Sequence, residues 1–440
     1  MSTEIPRPRS QLTFERVTPI FALTFVDILG LTIILPLLHL YAIAFGASPL
    51  EVGVAAAAFP LAQIVGVPIM GALSDRFGRK PLLIISQATT CISFVMLALA
   101  NSLWLVILSR VVDGLFGANI ATAQAAISDI TRPDERARGL GITGAAFGLG
   151  FMLGPAIAAI ALEFSDNLGS PAWIAAGYSL LSILLTLFLF RETLPPQRRT
   201  QQVSIRLAWP GLLKRSHIGV LLVLMFAQQV VFYGFESLLG LFTLNRVGLL
   251  GQGVAVIFVI VGVVLVFAQL RLIGQLSRRF GDARVAQIAI ALVGVGLLLL
   301  ATTPAQPHPF YVQRIVENEI ARLIPTSTEV MLGNIPVALP SESARGVGGI
   351  LWLIGALIPV ALGAGMIRPS LNSLMTRRQG EQSYGSVLGA SAAAVSAANA
   401  IAPLLGGFLF QQYGATTPFA IGGALMLTLA VLALRIRAGQ

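Results

Sequence analysis

Long apolar runs alternate with short polar stretches along the whole chain. About 20 apolar residues suffice for a helix to span the hydrocarbon core of a bilayer. Twelve runs of about that length, broken by charges, glycine and proline, lie near 17–41, 50–70, 82–101, 103–124, 138–162, 171–191, 218–242, 252–273, 284–303, 350–370, 386–410 and 416–437. The pattern predicts an all-α integral membrane protein with twelve transmembrane helices. Sixteen largely polar residues lead into the first run, which is too long for the apolar region of a cleavable signal peptide, so it is expected to insert and stay.

Composition agrees, because only 11% of the 440 residues are charged and 56% are hydrophobic, against about a quarter charged in soluble domains. The net charge of +10 would point to nucleic acid in a soluble protein. Here it reports topology. Lys and Arg gather in alternate connections: Arg7, Arg9 and Arg16; Arg76, Arg79 and Lys80; Arg132, Arg136 and Arg138; Arg198, Arg199, Arg206, Lys214 and Arg215; Arg278, Arg279 and Arg284; Arg377 and Arg378; Arg435 and Arg437. By the positive-inside rule these connections and both termini are cytoplasmic, while the intervening short ones hold only Arg246. The expected setting is a multi-pass plasma (inner) membrane protein that meets lipid and no nucleic acid. Cys91 is the sole cysteine and lies in a span, so no intramolecular disulfide can form.

The chain repeats itself. GALSDRFGRKP at 71–81 recurs as GQLSRRFGDAR at 274–284, an offset of 203 residues (274 − 71). GFMLGPAIAAI at 150–160 resembles ANAIAPLLGGF at 398–408, with Pro155 opposite Pro403 at an offset of 248 (403 − 155). The difference requires an insertion between the second copies, and the polar stretch at about 304–349 fits. The domain reading is therefore an N-terminal six-helix bundle at 1–191, a basic cytoplasmic linker at 192–217, and a C-terminal six-helix bundle at 218–440 interrupted by an extracytoplasmic segment. Within that segment Val312, Ile315, Val316, Ile320, Leu323 and Ile324 share one face of a helical projection, which predicts a short amphipathic helix.

Several charged or glycine-rich patterns stand out against the apolar background. The hairpin at 71–81 contains Gly71, Asp75, Arg76, Gly78, Arg79 and Lys80; topology alone accounts for the cations but not for the aspartate and the two glycines, which suit a tight turn beside another helix. SRVVDGLFGA places Arg110 and Asp113 on one helical face within the membrane, either as a self-neutralising pair or as part of a proton path. Gly150, Gly154 and Ala158 form a small-residue stripe beside the helix-bending Pro155, with Gly141 further back. Asp27 falls near the middle of the first span with no basic residue of its own helix in reach, so it is a candidate proton carrier or a hydrogen-bonded cavity residue. Glu236 lies in the seventh span beside Gln228, Gln229 and Tyr233. Arg271 and Arg368 are expected to snorkel to the cytoplasmic interface, and His39 to be solvated at the outer end of its helix.

Two parallel six-helix repeats are the layout of a major facilitator transporter, and the hairpin resembles the loop signature G-x-L-x-D-R-x-G-R-K-P of that superfamily. The resemblance implies a latch in which Asp75 and Arg79 join Asp129 at the end of the fourth helix to hold an outward-facing state. In the second copy Arg278 replaces the aspartate and Asp282 an arginine, which puts a second latch in doubt. R-x-x-x-G at Arg110–Gly114 is similar to the fourth-helix signature of proton-coupled members. G-x8-G-x3-GP at Gly141, Gly150, Gly154 and Pro155 resembles the antiporter signature of exporters, with Ala158–Ala159 where the family closes on two glycines. Residues 20–195 are similar to the tetracycline-efflux branch of twelve-helix drug/proton antiporters. Of the membrane carboxylates which that branch carries in helices one, three and nine, only Asp27 is present, which argues against tetracycline itself.

The resemblance implies proton-coupled efflux of small, largely hydrophobic or drug-like compounds by alternating access, with Asp27, Arg110, Asp113 and Glu236 as proton-coupling candidates. It also implies a small-molecule substrate and protons as partners, no cofactor or metal, and function as a monomer. A facilitator or an importer of a small metabolite is the alternative. A polytopic membrane enzyme is disfavoured, because three scattered histidines and one cysteine offer no metal cluster or nucleophile–base pair. No G-x-x-x-x-G-K-[ST] phosphate loop occurs, which argues against ATP-driven transport by this chain alone.

Overall fold

An apolar segment in lipid must satisfy its backbone internally, and a helix does so within one segment. The computed structural model describes residues 14–34, 38–130, 136–165, 167–194, 196–199, 216–322, 338–377 and 384–435, and every regular element among them is helical. In chain order the α-helices are α1 (Phe14–Ile34), α2 (Leu38–Ala44), α3 (Pro49–Phe77), α4 (Arg79–Ala98), α5 (Leu103–Phe116), α6 (Asn119–Ile130), α7 (Arg136–Phe164) and α8 (Ser170–Phe188). They continue with α9 (Ser216–Val247), α10 (Gln252–Phe267), α11 (Ile273–Phe280), α12 (Asp282–Ala301), α13 (Gln313–Arg322), α14 (Gly348–Arg377), α15 (Tyr384–Tyr413) and α16 (Thr417–Arg435). Nine helical stretches among the described residues are long and apolar enough to cross a membrane, joined by the shorter apolar helices Thr18–Ile34, Gly148–Phe164 and Thr417–Ala433.

Within the described residues, two expected spans are interrupted. The run at 103–124 divides into α5 and α6 at Gly117, whose N–H donates to the Asp113 carbonyl at 2.6 Å. The run at 252–273 passes from α10 through a π-helical turn, Ala268–Leu272, into α11. Both interruptions leave the apolar run unbroken, so composition does not reveal them.

Helix α3 starts on a reciprocal cap: Ser48 Oγ accepts the N–H of Glu51 at 3.3 Å, and the Glu51 carboxylate accepts the N–H of Ser48 at 2.7 Å. It ends at Gly78, where φ is +104°. Gly281, between α11 and α12, repeats that turn with φ +78°, 203 residues later (281 − 78), the spacing of the sequence repeat. Within the first group of helices α1 packs on α7 and α8, α3 on α5, and α4 on α8; in the second, α12 packs on α14 and α16, and α9 on α15. The groups join through α3 with α15 and α7 with α10. A Cβ on Gly53 would lie 2.3 Å from the Pro403 carbonyl oxygen, and one on Gly407 2.5 Å from that of Pro49, so α3 and α15 meet backbone to backbone. Leu50 N–H donates to Gln411 Oε1 at 3.2 Å, and Gln252 Nε2 to Glu163 Oε2 at 2.6 Å. All four contacts lie toward the ends of their helices remote from the Gly78 hairpin.

The expected amphipathic helix in the insertion is α13, although Val316 is buried while Ile315 is 60% exposed; Ile320, Leu323 and Ile324 lie outside the described side chains. The segment before it is fastened to the end of α9. His308 N–H donates to the Val247 carbonyl at 3.1 Å, and Tyr311 is buried against Gly248, where φ is +70° and a Cβ would meet the ring at 2.3 Å. Burial pushes the His308 imidazole below the ordinary histidine range.

Candidate functional site

The hairpin between α3 and α4 gathers charge around Arg79, which is 8% exposed. Its Nη1 donates to Asp75 Oδ1 at 2.6 Å and to Ser74 Oγ at 3.0 Å, and its Nε donates to Asp129 Oδ2 at 2.9 Å on α6. The sequence-predicted trio is thus in contact. Two companions missed in the sequence, Glu192 and Thr193, complete the cluster. Glu192 accepts the N–H groups of Arg79 at 2.9 Å and Lys80 at 3.1 Å, the exposed donors at the start of α4, and Thr193 Oγ1 donates to Asp129 Oδ2 at 3.3 Å. A carboxylate a few residues beyond a span reads as solvated surface, which hides this role.

The other hairpin residues divide. Lys80 Nζ donates to the Leu187 carbonyl at 2.8 Å. Arg76 lies over the Phe77 ring, with 5.1 Å to the centroid, and has no ion pair among the described residues. Gly78 needs its conformation and its small size, since a Cβ would sit 2.4 Å from Glu192 Oε2. Gly71 corrects the expectation: it lies inside α3, and a Cβ there would have no atom within 4 Å, so no tight approach requires it. In the second copy Ser373 Oγ donates to Asp282 Oδ2 at 2.6 Å, and Arg278 Nε donates to the Gly274 carbonyl at 3.0 Å.

Deeper in the first group of helices, a polar network crosses four elements, α1, α4, α5 and α6. Arg110 Nη1 lies 3.6 Å from Asp113 Oδ2, both side chains 4% exposed, and Arg110 Nη2 donates to Ser93 Oγ at 3.0 Å. Thr90 Oγ1 donates to Asp113 Oδ1 at 2.8 Å. Asn119, on the first turn of α6, donates through Nδ2 to Asp27 Oδ1 at 2.7 Å and to Thr90 Oγ1 at 3.3 Å. The break after Phe116 thereby connects the helix-four pair to Asp27. Asn119 and Thr90 are neutral, and Asn119 is 92 residues from Asp27, so nothing local in the sequence marks the link.

The glycines of α7 hold α1 in place around Asp27. A Cβ on Gly150 would lie 2.6 Å from Ile28 Cγ2, and one on Gly154 2.2 Å from Thr32 Oγ1. Thr32 Oγ1 donates to the Gly150 carbonyl at 2.8 Å. Pro155 is buried in the same helix. Gly141 falls in α7, but its surroundings lie outside the described residues, as does the His39 side chain.

Asp27, Tyr233 and Glu236 are each half-buried within the helix bundle. Glu236 makes no hydrogen bond or ion pair among the described residues and is not drawn into the Asp27 network. Tyr233, three residues before Glu236 on α9, lies within electrostatic reach of Glu236 and of Arg110 in the first helix group. Beside it on α9, Gln229 Nε2 donates to Asn399 Oδ1 at 2.8 Å. No cluster of three or more metal-ligating side chains exists among the described residues.

The family profile of the Major Facilitator Superfamily matches residues 20–315. The chain is 28% identical over 405 residues to tetracycline resistance protein, class B, of Escherichia coli, covering 89% of this chain and 87% of that protein. It is 25% identical over 409 residues to Multidrug resistance protein 2 of Bacillus subtilis (strain 168), covering 92% and 90%. The similarity therefore runs well past residues 20–195, into the second half. Among solved structures, the human organic anion transporter MFSD10 (TETRAN) superposes with a TM-score of 0.67 over 97% of this chain and all of its own, at 20% identity. The nucleoside transporter NupG superposes with a TM-score of 0.70 over 96% and 98%, at 14% identity. These structural likenesses establish the fold.

Proposed function

Because the chain belongs to the Major Facilitator Superfamily and is a multi-pass membrane transporter rather than an enzyme, we propose that it couples proton entry to the export of a small, largely apolar compound. The observation that carries this reading is Asp27, an accessible carboxylate in mid-helix that Asn119 connects to the Arg110–Asp113 pair. A carboxylate exposed in turn to each side of a membrane can pick up and release a proton, and its charge then biases which side is open. The names of the relatives, tetracycline and multidrug resistance proteins, support export. Since α4 holds no acidic residue and α12 only Asp282 at its first position, the substrate is proposed to be something other than tetracycline.

In this reading two six-helix bundles, 1–191 and 218–440, joined by the 192–217 linker, rock about a central cavity in a plasma (inner) membrane, with both termini cytoplasmic. The closed contacts at Leu50–Gln411 and Glu163–Gln252 then lie on the outer side, so the conformation is closed to the outside. The Arg79 trio is assembled in this same conformation, so its assembly alone does not hold the outward-facing state that the resemblance implied, and the cluster is proposed to take part in switching. Everted vesicles with an imposed pH gradient test the proposal. Accumulation of a labelled small apolar or amphipathic compound that collapses on adding an uncoupler is expected, and transport unchanged without a pH gradient or membrane potential would contradict the antiport reading.

A further inference from the structure

Arg368 does not behave as an interfacial arginine. It sits in α14, nine residues before the end at Arg377 (377 − 368), about 13 Å along a helix rising 1.5 Å per residue. It shares a helical face with Leu357, Ala361 and Met375, at seven- and eleven-residue spacings, and all three are 1% exposed or less. The outward residues Leu351, Trp352 and Ile358 lie about a quarter turn or more away, at 65%, 44% and 43% exposure. Arg368 is exposed on a face whose other members are buried within the protein, so it borders a space between helices rather than the lipid-facing side marked by Leu351 and Ile358. One turn on, Asn372 Oδ1 accepts a hydrogen bond from Ser391 Oγ at 3.0 Å, so the same wall continues polar.

Among the described residues Arg368 has no ion pair or hydrogen bond, and this distinguishes it from Arg79 and Arg110, whose partners are carboxylates of the protein. An uncompensated guanidinium at membrane depth is costly and is retained where it meets water or an anion. Its planar donor fork matches a carboxylate in bidentate fashion. We infer that Arg368 is a binding residue for the anionic group of the transported compound, which makes the substrate class small amphipathic organic anions. This rests on the transporter reading above but is tested separately from proton coupling.

The test is equilibrium binding to the purified full-length protein in a neutral detergent, with 2-naphthoate as the probe and 2-naphthylmethanol as its neutral match. Native protein is expected to bind naphthoate, Arg368→Ala to bind it about tenfold or more weakly, and Arg368→Lys to fall between, with naphthylmethanol unaffected. No naphthoate binding by native protein, equal affinity in Arg368→Ala, or equal losses for both probes would overturn the inference. A second arm needs no variant: naphthoate should shield Arg368 of native protein from phenylglyoxal, read by peptide mass spectrometry. Shielding by phosphatidylglycerol but not by naphthoate would make the site a lipid contact and also overturn the proposal. Binding requires no gradient, so an exporter reading that failed in vesicles would leave these results standing.

Discussion

Asp27 is held by one hydrogen bond from Asn119, and interhelical bonds of this kind contribute about 1 kcal/mol. Asn119→Ala is therefore expected to leave the protein folded, with little change in melting temperature, while slowing gradient-driven transport by freeing the carboxylate from the Asp113 side. A variant with native transport would reduce Asn119 to packing. Arg110 and Asp113 are more tightly bound to each other's presence. Arg110→Ala strands a buried carboxylate, at a cost of about 3–5 kcal/mol, and should sharply lower the yield of monodisperse protein. Removing Asp113 as well should restore that yield. If the double variant recovers folding and transport together, the pair serves only the structure.

At the scale of elements, the hairpin depends on Gly78 rather than Gly71. Gly78→Ala forces a positive φ on a side chain and presses on Glu192, costing about 1–2 kcal/mol, whereas Gly71→Ala should be neutral in a thermal unfolding assay. Asp75→Asn keeps the turn but removes one of the two carboxylates facing Arg79; insertion should be normal and transport slower, and full activity would reduce the cluster to a topology signal. Gly154→Leu should separate α1 from α7 and disturb Asp27 at a distance, because the methyl position is already inside the Thr32 hydroxyl. These elements also mark how far the sequence was legible. Apolar runs fixed the helices, and the 203-residue repeat located both hairpins down to their glycines. The break before Asn119 and the π-helical turn at Ala268–Leu272 were not legible, because they arise from interhelical fit without any change in hydropathy. Charges in apolar runs exposed Asp27, Arg110, Asp113 and Glu236. Thr90, Asn119, Glu192 and Thr193 escaped because neutral or near-surface groups acquire meaning only through distant partners. For Arg368, sequence gives depth along a helix but not what shares its face.

For the whole molecule, the proposed rocking motion requires the contacts between Glu163 and Gln252 to part. Glu163→Cys with Gln252→Cys, in a background where Cys91 is replaced by Ser, should cross-link under oxidation, stop transport, and regain it on reduction. Transport by the oxidised, cross-linked protein would exclude opening at that end. The central claim is that protonation of Asp27 drives the cycle, and the most direct measurement compares uphill and downhill movement of the labelled compound that native protein accumulates, by native protein and Asp27→Asn in the same vesicles, with equal amounts of folded protein verified. The account predicts that Asp27→Asn loses accumulation against the gradient but keeps downhill exchange. Undiminished uphill accumulation by Asp27→Asn would contradict it.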